Sequence, residues 1–187
     1  MMVESVPTKR ETVDILGIQI DCLTMSETLK EIEKFLKSNK PHMIVTADSS
    51  GLFNQIQDKQ LSKIMKSADM VTPDSIGVIW AAKKFGKPIT ERVNGVELVD
   101  HICELSAIAG YKLFFLGAAP GIAEQAADRL RLKHPGCNIV GTRNGYFPCA
   151  DDDLIAQEIA TFEPDVLFVA MGIPRQEKIY LQYSINY

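Results

Sequence analysis

Apolar runs of strand length alternate with amphipathic runs of helix length along most of this chain, and polar, glycine-bearing segments stand where the apolar runs stop. Those two regularities predict an α/β fold, with a mostly parallel sheet covered by helices on both faces. The stretches between strands are long enough for the crossovers that parallel neighbours require. A short alternating stretch near the start adds a small β-hairpin.

Each element has a local reason. Residues 1–12 are polar and charged and read as a disordered lead. From Val13 to Cys22 apolar and polar residues alternate about Gly17, the pattern of a hairpin. Thr24-Met25-Ser26-Glu27 is a capping-box start, after which Leu29, Ile32, Phe35 and Leu36 recur at helical spacing. A strand is predicted over Met43–Thr46, helices around Leu52–Ile56 and Leu61–Ala68, and a brief strand over Met70–Thr72. The next helix runs from Ser75 to Phe85 with its lone Trp80 in the core, and another covers Gly95–Ala109. The second half continues as strand Lys112–Leu116, helix Gly121–Lys133, strand Asn138–Gly141, helix Asp151–Phe162, strand Val166–Ala170 and a helix beginning at Pro174. No repeat or linker interrupts residues 13–187, which read as one domain.

Composition excludes several classes. The chain has 187 residues, 46% hydrophobic and 24% charged, with a formal net charge of -4. That balance gives no footprint for nucleic acid and no basic patch for membrane phosphates. Cys22, Cys103, Cys137 and Cys149 are scattered and read as reduced thiols, and His42, His101 and His134 lack metal-ligand spacing. The first dozen residues are no signal peptide, and no apolar run approaches the ~20 residues of a membrane span.

The polar segments carry the chemistry. They are Thr46-Ala47-Asp48, Thr72 to Gly77, Gly117 to Gly121, Gly145-Tyr146-Phe147 and Gly172 to Glu177. Strand carboxyl ends in an open parallel sheet share one edge, so these segments are expected to meet in one crevice. Their acidic, hydroxyl and amide groups suit a phosphate- or sugar-bearing ligand better than a metal. Gly117 to Gly121 could cradle a phosphate at a helix start or simply make a tight turn; it is not a dinucleotide fingerprint. Asp74, after Pro73, sits at the predicted N-cap of its helix and could instead take a proton from a hydroxyl. Thr46 and Asp48 share that ambiguity. Arg92 suits a phosphate, and Asn94 could end one helix or begin the next. Gln176 could cap a helix or bind a sugar, while Glu177 and Lys178 are expected to face solvent. A nucleotide-binding module without turnover is the alternative to an enzyme, and a nicotinamide-dependent dehydrogenase is disfavoured.

Taken together the segments resemble one family. Val45-Thr46-Ala47-Asp48, Thr72-Pro73-Asp74-Ser75-Ile76-Gly77, Glu91-Arg92-Val93-Asn94-Gly95, Phe115 to Gly121, Gly141 to Phe147 and Val169 to Lys178 stand in the order and approximate spacing of the WecG/TagA/CpsF glycosyltransferases. The resemblance spans nearly all of the chain from Val13 onward. It implies a Rossmann-like, inverting enzyme that moves N-acetylmannosamine or a related amino sugar from a UDP donor to undecaprenyl-diphosphate-linked N-acetylglucosamine. Such chemistry serves wall teichoic acid or surface polysaccharide. It further implies Asp74 and Thr46 as catalytic residues, Asp74 as general base and Thr46 positioning substrate, and Asp48, Arg92, Asn94, Gly117, Gly121 and Gln176 as substrate-binding residues. No cofactor and no metal are expected. Asp48 departs from the asparagine usual in the family, placing an anion where a diphosphate binds. Family members also continue past this point into a basic, aromatic segment, so the chain is expected to lack the part that contacts the membrane and completes the site. The full-length form would then be cytoplasmic and peripheral to the inner face of the membrane. Self-association into a homo-oligomer is left open.

Overall fold

The computed structural model describes residues 10–183 apart from Asn39 and Pro88. Strands β1 (Thr12–Ile15) and β2 (Ile18–Asp21) pair antiparallel, and the Asp14 carboxylate closes their turn by accepting the Gly17 N–H at 2.9 Å. The expected disordered lead falls on residues 1–9, outside the described residues, but its last three positions are ordered. Thr12 opens β1, and Arg10 donates through Nε to Asp21 Oδ1 at 2.7 Å. Asp21 is buried and also accepts the Val71 N–H, so the guanidinium supplies the partner a buried carboxylate requires.

Helix α1 (Met25–Leu36) carries both halves of the capping box predicted for it. Strands β3 (Ile44–Ala47) and β4 (Met70–Pro73) run parallel, with α2 (Ser49–Gln57) and α3 (Lys59–Ser67) as their crossover. Helices α4 (Ile76–Lys84) and α5 (Gly95–Ala109) follow. Then β5 (Leu113–Gly117), α6 (Ile122–Lys133), β6 (Ile139–Arg143), α7 (Asp152–Ala160), β7 (Val166–Ala170) and α8 (Arg175–Tyr183) alternate to the end of the described chain. Strand β5 lies between β6 and β7, parallel to both.

The alternation of side chains along the strands shows the two-sided cover that the sequence predicts. In β5, Leu113 and Phe115 pack with Met25, Leu98, Ile102 and Ala127, from α1, α5 and α6. Phe114 and Leu116 point the other way, to Ile155 and Ile159 of α7 and Ile179 of α8. Strands β3 and β4 alternate likewise: Ile44 and Met70 join the first group, Val45 and Val71 a cluster with Leu52, Leu61, Ile64 and Val78 of α2, α3 and α4. A Rossmann-like α/β arrangement is the result. All five central strands pair in parallel, but as two ladders, β3–β4 and β6–β5–β7, with no backbone pairing between them among the described residues. Shared packing of Ile44, Met70, Leu113 and Phe168 joins the two.

Trp80 corrects the sequence expectation. It is 62% exposed, with Lys84 Nζ 5.4 Å from its ring centre, while α4 buries Val78 and Ala82 instead. Apolar residues surround this helix rather than forming one stripe, so periodicity had no means of choosing the buried face.

Candidate functional site

Parallel register brings two aspartates together. Thr46 lies opposite Thr72 and Ala47 opposite Pro73, so β3 and β4 end level with each other. The chain leaves them at Asp48 and Asp74, and the Asp74 N–H still donates to Ala47 O at 3.0 Å. Beside them the turn after β7 contributes Gly172, Ile173 and Gln176. These groups, with Thr46 and Ser50, line an open cavity of about 320 Å³.

Asp74 is not the N-cap its sequence context suggests. Its backbone remains in strand register, so the helix starts one residue later and Ser75 caps it, accepting the Val78 N–H. The Asp74 carboxyl is thereby left to the cavity. Burial pushes its pKa up, partly opposed by the neighbouring Gly95 N–H and the Arg92 charge, while Asp48 and Glu97 push it further up. A half-buried carboxyl with a raised pKa on a polar cavity has the properties of a proton acceptor.

Asp48 does cap a helix: Oδ1 accepts the Gly51 N–H at 2.6 Å at the start of α2. It therefore serves α2 and lines the cavity at once. Thr46 is held close to the start of α5, where a Cβ on Gly95 would stand 3.5 Å from its Cγ2 and Oγ1. Asn94, only 7% exposed, lies behind that point; its side chain accepts the Glu97 N–H at 2.9 Å and caps α5. This cap fixes the helix start whose first N–H reaches Asp74. Arg92 is exposed and forms no ion pair among the described residues.

Gly117 and Gly121 stand apart from the cavity wall. The Ala118 N–H donates to Ala170 O, the Gly145 N–H donates to Ala118 O, and a Cβ on Gly117 would run into the Ala170 carbonyl. Gly121 begins α6 in the left-handed region, φ +83°, without a side-chain cap. Two other arginines at this edge are already engaged. Arg175 bonds Asp152 at 2.6 Å and lies over the Phe147 ring, and Arg143 pairs with Glu158 at 3.5 Å.

The start of α8 departs most from expectation. Gln176 accepts the Gly172 N–H through Oε1 at 3.2 Å and donates through Nε2 to Glu177 Oε1 at 2.9 Å. Glu177, expected in solvent, is 6% exposed, and burial raises its pKa, with Asp48 adding to the rise. Lys178 is paired with Asp58 at 2.6 Å. The buried face was readable in principle: Ile173, Glu177 and Tyr180 recur at helical spacing, and the first and last pack against the core. Ser50, which nothing in the sequence singled out, joins the lining because it follows the Asp48 cap. Among the described residues no three His, Cys, Asp or Glu gather to hold a metal ion, and no helix is long and apolar enough to cross a membrane.

The model of the glycosyl transferase WecG/TagA/CpsF family matches residues 13–186. An N-acetylglucosaminyldiphosphoundecaprenol N-acetyl-beta-D-mannosaminyltransferase of Bacillus spizizenii is 34% identical over 149 residues, 80% of this chain and 57% of that protein. The Staphylococcus aureus (strain NCTC 8325 / PS 47) protein of the same name is 29% identical over 168 residues, 89% of this chain and 65% of its own length. The chain thus spans about 57–65% of the length of these relatives.

Proposed function

The chain belongs to the WecG/TagA/CpsF glycosyltransferase family, and from that premise we propose that it transfers N-acetylmannosamine, or a related amino sugar, from a UDP donor to undecaprenyl-diphosphate-linked N-acetylglucosamine, with inversion. The named chemistry of its relatives supports the sugar and the acceptor. The observation that carries the reading is Asp74: a carboxyl freed from helix capping, half-buried on the cavity, with the Gly95 N–H and the Arg92 charge acting on it.

In this reading Asp74 accepts the proton of the acceptor hydroxyl as that oxygen bonds to the anomeric carbon. The bond to the UDP oxygen breaks on the opposite side, and the diphosphate departs with the electron pair. Thr46 lies on the same wall and holds the reacting hydroxyl in place, and Asp48, Ser50 and Gln176 offer hydrogen bonds to the sugar. Among the described residues Arg92, whose charge reaches Asp74, is a cation available to the diphosphate, since Arg143 and Arg175 are paired with carboxylates. Asn94 acts by setting the start of α5, and the Gly117–Gly121 turn supports the end of β7. The chemistry asks for no metal, so transfer is expected to survive chelation by EDTA. The protein works at the inner face of the membrane, where its acceptor is anchored.

The deciding experiment follows radiolabelled sugar from UDP-N-acetylmannosamine to a lipid-linked N-acetylglucosamine acceptor. It compares wild type with Asp74→Asn, both in a version of the relatives' length. Equal transfer by Asp74→Asn would remove the proposed base. Transfer abolished by EDTA and restored by manganese would remove the metal-free route.

A further inference from the structure

Glu177 is a buried carboxyl to which the proposed chemistry gives no task. One of its oxygens, Oε2, is buried without a hydrogen-bond partner among the described residues. The other, Oε1, accepts from Gln176, whose side chain lines the cavity. Burying a carboxyl is unfavourable, and an apolar side chain would occupy the same position on α8 without that penalty. What the carboxyl supplies there is its bond to Gln176.

We propose that Glu177 is a positioning residue that locks the Gln176 amide in one of its two orientations, so that Gln176 presents an N–H, and not a carbonyl oxygen, to a ligand in the cavity. A glutamine amide has two donors at one end and an acceptor at the other, and little else distinguishes its ends sterically. Here Oε1 meets the Gly172 N–H and one Nε2–H meets Glu177 Oε1. Rotating the amide by half a turn would set NH₂ against the Gly172 N–H and carbonyl oxygen against carboxyl oxygen, losing both bonds. The lock holds in either protonation state, because a proton on Oε2 leaves Oε1 an acceptor. One Nε2–H remains for the cavity, where it selects an oxygen acceptor such as a phosphate or a sugar hydroxyl. That this ligand is a UDP-sugar rests on the function proposed above; the orientation of the amide does not.

Two measurements separate these ideas. The first needs no ligand: the side-chain amide signals of Gln176 are followed by ¹⁵N NMR in the 187-residue chain, assigned through Gln176→Ala. Glu177→Gln keeps an acceptor at Oε1 and should preserve the wild-type signals. Glu177→Met removes it, and exchange of the Gln176 amide protons should quicken by about tenfold, the contribution of one net hydrogen bond. Thermal melting confirms that the variant is folded, and Glu177→Leu takes its place if it is not. Wild-type amide signals in the folded Met or Leu variant, or signals lost in Glu177→Gln as well, would overturn the proposal. The second measurement is titration with UDP-N-acetylmannosamine by calorimetry. Glu177→Met should bind about tenfold more weakly and Glu177→Gln within about twofold of wild type. In a Gln176→Ala background Glu177→Met should weaken binding no further, because both act through one amide. Full additivity would also sink the positioning role. Failure of the wild-type chain to bind UDP-N-acetylmannosamine would count against the donor reading alone, since the amide signals still decide the orientation.

Discussion

Two strand-to-helix turns at the same edge of the molecule, Pro73–Ser75 after β4 and Gly117–Gly121 after β5, have opposite fates. Both follow parallel strands, and both precede helices whose first N–H groups face the edge. In the first, a serine does the capping and leaves the aspartate before it facing the cavity. In the second, the Ala118 N–H is taken up by Ala170 O, and the Gly145 N–H ties down the Ala118 carbonyl. A glycine-rich turn at a helix start has fewer N–H groups to offer a phosphate when a neighbouring strand takes one of them. An Asp-Ser pair at a strand end keeps its carboxylate available to a ligand when the serine takes the structural duty.

The sharpest way to break the comparison is at Asp74. Asp74→Asn in a version of the relatives' length should lower sugar transfer by roughly a hundredfold or more, the usual contribution of a general base. Gly117→Ala should act on stability, not chemistry. A Cβ driven at the Ala170 carbonyl from a φ of +142° should cost about 1–3 kcal/mol in denaturant melts. UDP affinity measured in the folded fraction should be unchanged, and a selective loss of affinity would return the turn to the site. Ser75→Ala should cost about 1 kcal/mol of stability while keeping transfer within a fewfold of wild type, which is what a cap does.

The smallest effect is in the pH dependence. Asp74 has a folded pKa above its unfolded one, so the fold binds its proton more tightly. The native state is therefore favoured most at pH below the unfolded pKa, and that advantage is lost as pH rises through the raised folded value. Asp74→Asn removes this contribution, so its thermal midpoint should gain on wild type as pH rises across that window and match it at acid pH. Transfer by wild type should move the opposite way and fall as acid protonates the base. A midpoint difference independent of pH would show that the carboxyl is not held in the environment described.

Much of this was legible in the residues. The capping box at Thr24 and Glu27, the hairpin about Gly17 and the bounds of α5 all follow from local rules, because each depends on neighbours within a few positions. The gathering of Thr46, Asp48, Asp74 and Gln176 was also predictable, since parallel strands must end on one side. The misplacements share one cause. Trp80 and Glu177 were assigned by the habits of their residue types, whereas Trp80 is turned outward and Glu177 is buried beside the cavity. On α4 apolar residues surround the helix and none records which face is covered, whereas on α8 the spacing of Ile173, Glu177 and Tyr180 carried the signal and only the residue type of Glu177 hid it.

The amino-acid sequence by itself determined the alternation of elements, the parallel direction of the strands and the chemistry available at their ends, because periodicity and turn chemistry are local. Only the tertiary structure decided how that chemistry is divided. Level pairing of β3 and β4 left Asp74 on the cavity and gave the cap to Ser75; packing of β7 against β5 closed the Gly117 turn; and docking of α8 buried Glu177 against Gln176. Each outcome turns on a shift of one residue or a fraction of a helical turn, set by contacts between segments far apart in the chain.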